Sequence, residues 1–380
     1  MDIALAPDEA LPATATGKAQ PKSSDIRIPE LDGLRGLMTL FVLYSHYFVE
    51  VPHGIGVFYV GWVAVIAFFV LSGYLIGRLI IEKHHAGNFL RVFYLRRICR
   101  MFPSYILVSA VLLWLGARLA DRPWMAGPPP LPVWSYFVFG QNFFMLARGS
   151  VGLHWIAPTW TLALEEQFYI LAPFLFLLTP RRRWIPMLTV LCLGGLALRT
   201  AGVFAGVLGV TPLGLLPMCA DVVSVGLLLA VLVKEGLIDW QRWSGYLRVA
   251  PIICLVIAAL IQRIDGTGSS PWFQAFDPFL VALASAFFIL MLVKGAPEAR
   301  RFQSRVLRFF GDISYNVYLT HLFVLALMHG LILGSAPDTA TPSQLLVTVA
   351  AVPVAIGLAW IMTTTLEQPI TAWGRSFRWH

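Results

Sequence analysis

Arg35 and His46 stand eleven residues apart in an otherwise apolar stretch, LDGLRGLMTLFVLYSHYFV (Leu31 to Val49). On an α-helix that spacing is about three turns, which puts both side chains within roughly 20° of one face and about 16 Å apart along the axis. If the helix starts at the headgroups near Asp32, His46 reaches the middle of a hydrocarbon core ~30 Å thick. A titratable ring at that depth is costly and reads as functional by default. Its imidazole could serve as a general base or as a nucleophile, and either task needs the neutral form. The plainer alternative is an arginine snorkelling to headgroups and a histidine bonded to a neighbouring helix.

Three other stretches carry chemistry. In NFLRVFYLRRICRMFP (Asn88 to Pro103), Arg97 and Arg100 are three apart and share a helix face, with Arg96 alongside. Guanidinium forks suit phosphate, so this inner segment could hold a phosphorylated cofactor. Ordinary anchoring to anionic lipid is the competing explanation. PTWTLALEEQFYIL (Pro158 to Leu171) places Glu165 and Glu166 about 10 Å into the membrane from the outer face, with Tyr169 one turn on. One carboxylate could face a wet cavity and orient acceptor hydroxyls while the other pairs with Arg or Tyr. From opposite sides these acids and His46 approach one depth, which implies a site entered from both faces. In FGDISYNVYLTHLFVL (Phe310 to Leu325), Ser314, Tyr318 and His321 share a face. His321 reads either as a second substrate ligand or as a core histidine satisfied by Tyr. Asp221 could line an outer cavity, and Glu367 in LEQP could pair with an inner arginine. No Gly-rich phosphate loop, Gly-x-Ser-x-Gly elbow or metal-spaced cluster occurs, so no metal is expected.

The elements that must position these groups follow from composition. Of 380 residues, 58% are hydrophobic and 13% charged, against about a quarter charged in soluble domains. The chain is therefore a polytopic membrane protein. Its four cysteines form no close pairs, which argues against a disulfide framework and a zinc site. The net charge of +8 speaks of membrane topology rather than nucleic acid. Apolar runs near 34–50, 60–81, 104–120, 159–179, 184–200, 213–233, 249–263, 273–293, 312–333 and 344–366 predict an all-α helical bundle of about ten transmembrane helices. With the N-terminus inside, the basic runs fall on cytoplasmic connections, and the outer connections hold only Arg118, Arg122, Arg148, Arg199 and Arg263. Both termini are thus expected in the cytoplasm. Residues 1–29 read as a disordered cytoplasmic tail, 30–373 as the membrane domain and 374–380 as a short cytoplasmic tail. The aromatic piece Trp134 to Leu146 is too short to span comfortably and reads as an interfacial or re-entrant helix. The small-residue spacing of GYLIGRLI (Gly73 to Ile80) reports helix packing.

Six motifs in order resemble the acyltransferase-3 integral membrane family. They are PELDGLRGLMTLFVLYSH (Pro29 to His46), FFVLSGYLIG (Phe68 to Gly77), the Arg97-x-x-Arg100 pair, PTWTLALEEQFY (Pro158 to Tyr169), GDISYNVYLTH (Gly311 to His321) and LEQP (Leu366 to Pro369). The resemblance implies that His46 is the essential histidine, Arg35 its partner, and Arg97 and Arg100 a required pair near acyl-CoA. It further implies a bacterial inner-membrane enzyme that moves an acyl group, most often acetyl from acetyl-CoA, to a hydroxyl of an extracytoplasmic saccharide. Some family members carry a fused hydrolase-like domain; this chain is expected to act without one. Thr161 and Ala163 stand where members often carry serines, which puts a role for those hydroxyls in doubt. The rival class is a proton-coupled transporter with His46, Glu165 and His321 as relay, although the halves of the chain show no repeat.

Overall fold

Lipid offers no partner for backbone N–H and C=O groups, so a chain this apolar must satisfy them inside helices or a closed barrel. The computed structural model describes residues 28–56, 60–125, 127–208, 213–265 and 270–380, and these are helical with no strand among them. The helices are α1 (Pro29–Tyr44), α2 (Val60–Lys83), α3 (Phe89–Arg118), α4 (Val133–Phe137), α5 (Gln141–Arg148), α6 (Thr159–Leu178) and α7 (Trp184–Phe204). They continue with α8 (Ala220–Lys234), α9 (Trp240–Asp265), α10 (Pro271–Val293), α11 (Arg305–Leu333), α12 (Pro342–Met362) and α13 (Gln368–Arg375). Residues 1–27 of the expected tail lie outside the described residues.

Among the described residues, nine helical stretches are long and apolar enough to cross a membrane. The remaining expected span, α1, is not one of them. It has 16 residues, with Glu30, Asp32 and Arg35 in its first two turns. It continues through a π-turn, Ser45–Val49, that contains His46. Such polar side chains persist because α1 is enclosed by protein, packing on α11 and α2. A Cβ on Gly36 would collide with the Leu307 backbone, and one on Gly311 with the Asp32 backbone. The α1 and α11 backbones therefore touch directly, which brings their polar faces together. Gly73 and Gly226 make the same close approach between α2 and α8.

Several expected connections are helical instead. α3 begins at Phe89 and runs through Pro103, so Arg97 and Arg100 lie on a helix continuous with a span. Proline removes one backbone donor there, and the Tyr315 hydroxyl donates to the nearby Met101 carbonyl at 2.8 Å. α7 extends to Phe204, which moves Arg199 from its expected outer connection into a helix, where it is fully buried. The aromatic segment resolves into two helices, α4 and α5, broken at Phe139, whose φ is 54°. Both are too short to span. Gln141 pins them by donating to the Thr159 carbonyl at 2.9 Å, and Gln167 donates to the Phe139 carbonyl at 2.8 Å. Trp134, Val138 and Phe143 stay exposed.

Candidate active site

The π-turn of α1 and the middle of α11 bring two histidines together. His46 Nδ1 lies 2.7 Å from His321 Nε2, and the two rings are nearly parallel, with centroids 4.9 Å apart. On its other side His321 Nδ1 faces the carbonyls of Val317 at 3.0 Å and Tyr318 at 2.9 Å. A carbonyl only accepts, so His321 Nδ1 carries a hydrogen and, in the neutral ring, Nε2 is an acceptor. The hydrogen between the rings then belongs to His46 Nδ1, and His46 Nε2 is left with its lone pair; this tautomer is inferred from the network. Glu50, one turn on, holds a carboxylate oxygen 3.5 Å from that nitrogen. Tyr47 donates to the His321 carbonyl at 2.8 Å and fixes the pair. His321 is fully buried, whereas the His46 side chain keeps 19% exposure. What exposure the pair keeps is therefore on His46 and not on His321. His154 lies within electrostatic range of both rings.

A second group gathers around the N-terminal half of α3. The Arg97 guanidinium sits over the Tyr169 ring at 4.8 Å. Tyr169 and Ser72 both donate to the same oxygen of Glu165, Ser72 at 2.5 Å. Glu166 is buried, its Oε1 lacks a hydrogen-bond partner, and it lies within electrostatic range of Arg97. Arg35 belongs here as well, within range of Arg100, Glu165, Asp32 and Tyr169. Next to this group opens a cleft of about 140 Å³ whose wall includes Arg96, Arg97, Arg100, Arg375, Thr371 and Trp379. Several cations around one small cleft form a ready-made anion site.

Tyr318 joins the two groups. Its ring centroid is 5.9 Å from that of His321, and it lies within electrostatic range of both Glu165 and Glu50. Thr161 donates to the Pro158 carbonyl at 2.9 Å, so the 2.8 Å contact between Thr161 and Tyr318 carries the Tyr318 hydrogen. The polar side chains form two short files, Arg97–Tyr169–Glu165 and Tyr318–His321–His46–Glu50, within electrostatic range of one another. Polar files inside an apolar bundle are what a substrate or proton path requires.

Residues 28–364 match the acyltransferase domain family known as acyltransferase-3. The chain belongs to that family. Among relatives of this acyltransferase-3 chain is the peptidoglycan O-acetyltransferase OatA of Listeria monocytogenes serovar 1/2a, 26% identical over 339 residues, which cover 79% of this chain and 50% of OatA. A Staphylococcus aureus (strain COL) protein, named provisionally as an O-acetyltransferase, is 24% identical over 346 residues, covering 80% of this chain and 51% of its own. YrhL of Bacillus subtilis (strain 168), named provisionally as a peptidoglycan O-acetyltransferase, is 30% identical over 181 residues, 44% of this chain and 27% of YrhL. The chain spans about half the length of the curated relatives it matches over most of its own length. No solved structure matches it.

Within this acyltransferase-3 fold the other candidate residues have different addresses. Asp221 is paired inside the bundle: both its oxygens meet Arg199 at 2.6 Å, and Arg199 also donates to the carbonyls of Met218 at 2.9 Å and Ala275 at 3.1 Å. This closed pair ties α7, α8 and α10. Ser314 donates to the Gly311 carbonyl at 2.8 Å and is buried, so its hydroxyl serves its own helix. Glu367, on a second π-turn (Thr363–Glu367), accepts from Asn316 at 2.8 Å, with Arg100 and Arg35 only within longer electrostatic range. Of the two adjacent carboxylates, Glu165 is the one paired with a tyrosine, accepting from Tyr169 and Ser72. Arg96 is occupied by the carbonyls of Phe377, at 2.7 Å, and Arg375, at 3.4 Å. Glu50, His154, Arg375 and Thr371 are additions that only the fold reveals; the four-residue step from His46 to Glu50 was the one local signal. No group of three His, Cys, Asp or Glu able to hold a metal occurs among the described residues.

Proposed function

We propose that the protein is a multi-pass enzyme of a bacterial inner membrane that transfers an acetyl group from cytoplasmic acetyl-CoA to a hydroxyl of an extracytoplasmic glycan. The observation that carries this reading is the tautomer chain ending at His46. The backbone carbonyls of α11 hold His321, His321 holds His46, and a lone pair is left on Nε2 of the half-buried His46 side chain. Glycan as acceptor is supported by the peptidoglycan O-acetyltransferase name of OatA. Both termini lie in the cytoplasm in this reading, which puts the Arg97 cleft on the cytoplasmic side, where the donor is made.

Arg97 and Arg100 bind the donor's phosphates, and the pantetheine arm rises along the polar files toward His46. His46 Nε2 takes the proton of the acceptor hydroxyl as that oxygen attacks the thioester carbon. Glu50, 3.5 Å away, stabilises the imidazolium that results. The carbon–sulfur bond then breaks, the thiolate recovers the proton, and O-acetyl glycan and CoA leave. Direct transfer is preferred over an acetyl-imidazole because it needs no separate covalent intermediate. Mass spectrometry of surface glycans from cells with the wild-type gene and with His46→Ala tests the function, and loss of the acetyl mass increment is expected in the variant. Purified protein incubated with labelled acetyl-CoA and no acceptor tests the mechanism. Label retained by the wild type but not by His46→Ala would replace the base with a nucleophile.

A further inference from the structure

The residues after α12 fold back onto the start of α3. Arg96 Nε and Nη2 donate to the Phe377 carbonyl at 3.2 and 2.7 Å, and the same guanidinium lies over the Trp379 ring at 5.0 Å. Trp379 also stacks on Phe89, with centroids 5.9 Å apart. Asn88 donates to the Arg378 carbonyl at 2.9 Å and accepts from the His380 backbone at 3.1 Å. Gly374 lies so close to Cys99 that a Cβ there would approach its side chain to 2.7 Å. These contacts have one consequence for the cleft: they place Arg375 and Thr371 in its wall together with Arg97 and Arg100. The Thr371 hydroxyl is shielded from solvent and has no hydrogen-bond partner. Three guanidinium groups and an unused hydroxyl around about 140 Å³ require an anion with several acceptor oxygens.

We infer that α13 and the turn after it form one wall of a nucleotide-phosphate site, in which Arg375 and Thr371 bind phosphate opposite Arg97 and Arg100. Arg96 and Trp379 are positioning residues that hold this wall. The inference rests on acyl-CoA being the donor and assigns the donor's nucleotide end to this cleft. The sequence pattern divided the arginines differently, grouping Arg96 with Arg97 and Arg100. The structure keeps Arg96 in the cleft wall but engages it with the Phe377 carbonyl and the Trp379 ring, and adds Arg375 to the same wall.

Calorimetric titration of the full chain in neutral detergent, with CoA and with pantetheine, tests it. Arg375→Gln is expected to weaken CoA binding about tenfold and Thr371→Val about threefold, the scale of one charged and one neutral hydrogen bond. Neither should change pantetheine binding, and both should unfold at the wild-type temperature, since Arg375 is exposed. Arg375→Lys should recover part of the loss. Nanodiscs containing phosphatidylglycerol should bind CoA as tightly as neutral ones. CoA binding unchanged in Arg375→Gln but lost in Arg97→Gln would remove the wall from the site and leave the donor reading standing. Competition by phosphatidylglycerol that disappears in Arg375→Gln would make the cleft a lipid-headgroup site. Absence of CoA binding by the wild type would overturn the donor reading and this inference together.

Discussion

Two charged groups inside this bundle differ in one respect. Arg199 and Asp221 are fully buried and closed: each carboxylate oxygen has its own guanidinium nitrogen, and the remaining donors meet backbone carbonyls. The group around Arg97 is open. Glu166 keeps an oxygen without a partner, Arg97 rests on an aromatic face, and Arg97 and Arg100 border a cleft. A closed pair recovers its desolvation cost within the protein and ties helices together. An open one leaves that cost for a ligand to offset. Partner satisfaction, rather than depth or charge, therefore distinguishes the two groups, and in the proposed function the open one takes the ligand.

The closed group is tested by breaking it. Asp221→Ala strands a buried guanidinium and should cost about 3–5 kcal/mol, read as a large fall in thermal unfolding temperature in detergent. The double variant Arg199→Met, Asp221→Leu should recover most of that loss. A double variant no more stable than the single would show that the pair does more than clamp α7, α8 and α10. His46→Ala should leave unfolding near wild type while lowering acetyl transfer about 10³-fold, the scale of a lost general base. Variants at the two sites should thus separate cleanly on a plot of stability against activity. Arg100→Gln comes next: KM for acetyl-CoA should rise about tenfold or more with kcat little changed, as for loss of one charged phosphate contact. A stability loss there comparable to Asp221→Ala would erase the distinction between open and closed groups.

How much of this was legible in the sequence depends on the range of the contact. The nearly all-helical architecture follows from apolar length, because lipid leaves the backbone few choices. Arg97 and Arg100 were legible because neighbours three apart share a face in any helix, however it packs. The charge pair Arg199–Asp221 was not: Arg199 sits near a helix end and read as a loop residue, and nothing local pairs it with Asp221. His46 and His321 are 275 positions apart, and apolar periodicity does not say which helices adjoin. Close approach at Gly36 and Gly311 decides that neighbourhood, and only the assembled fold shows it. The π-turn changes the rotation per residue where His46 sits, so shared-face geometry from ideal α spacing reaches only as far as Tyr44.

The last test separates orientation from packing at the histidine pair. In the proposed mechanism His321 acts through one hydrogen bond, by accepting from His46 Nδ1 and so leaving the lone pair on Nε2. His321→Gln retains a carbonyl that can accept the same hydrogen, whereas His321→Leu fills the space without an acceptor. Loss of the acceptor frees His46 to place its hydrogen on either nitrogen and to rotate. The leucine variant should therefore lose about ten- to a hundredfold in kcat, the range of an orienting partner, while the glutamine variant stays within a few-fold of wild type. KM for acetyl-CoA should not move in either, because the arginine cleft is untouched. Equal loss in both variants would mean that His321 matters for the packing of α1 on α11 and not for the tautomer of His46. Equal retention would move the base elsewhere along the polar files, with Glu50 the next group to replace.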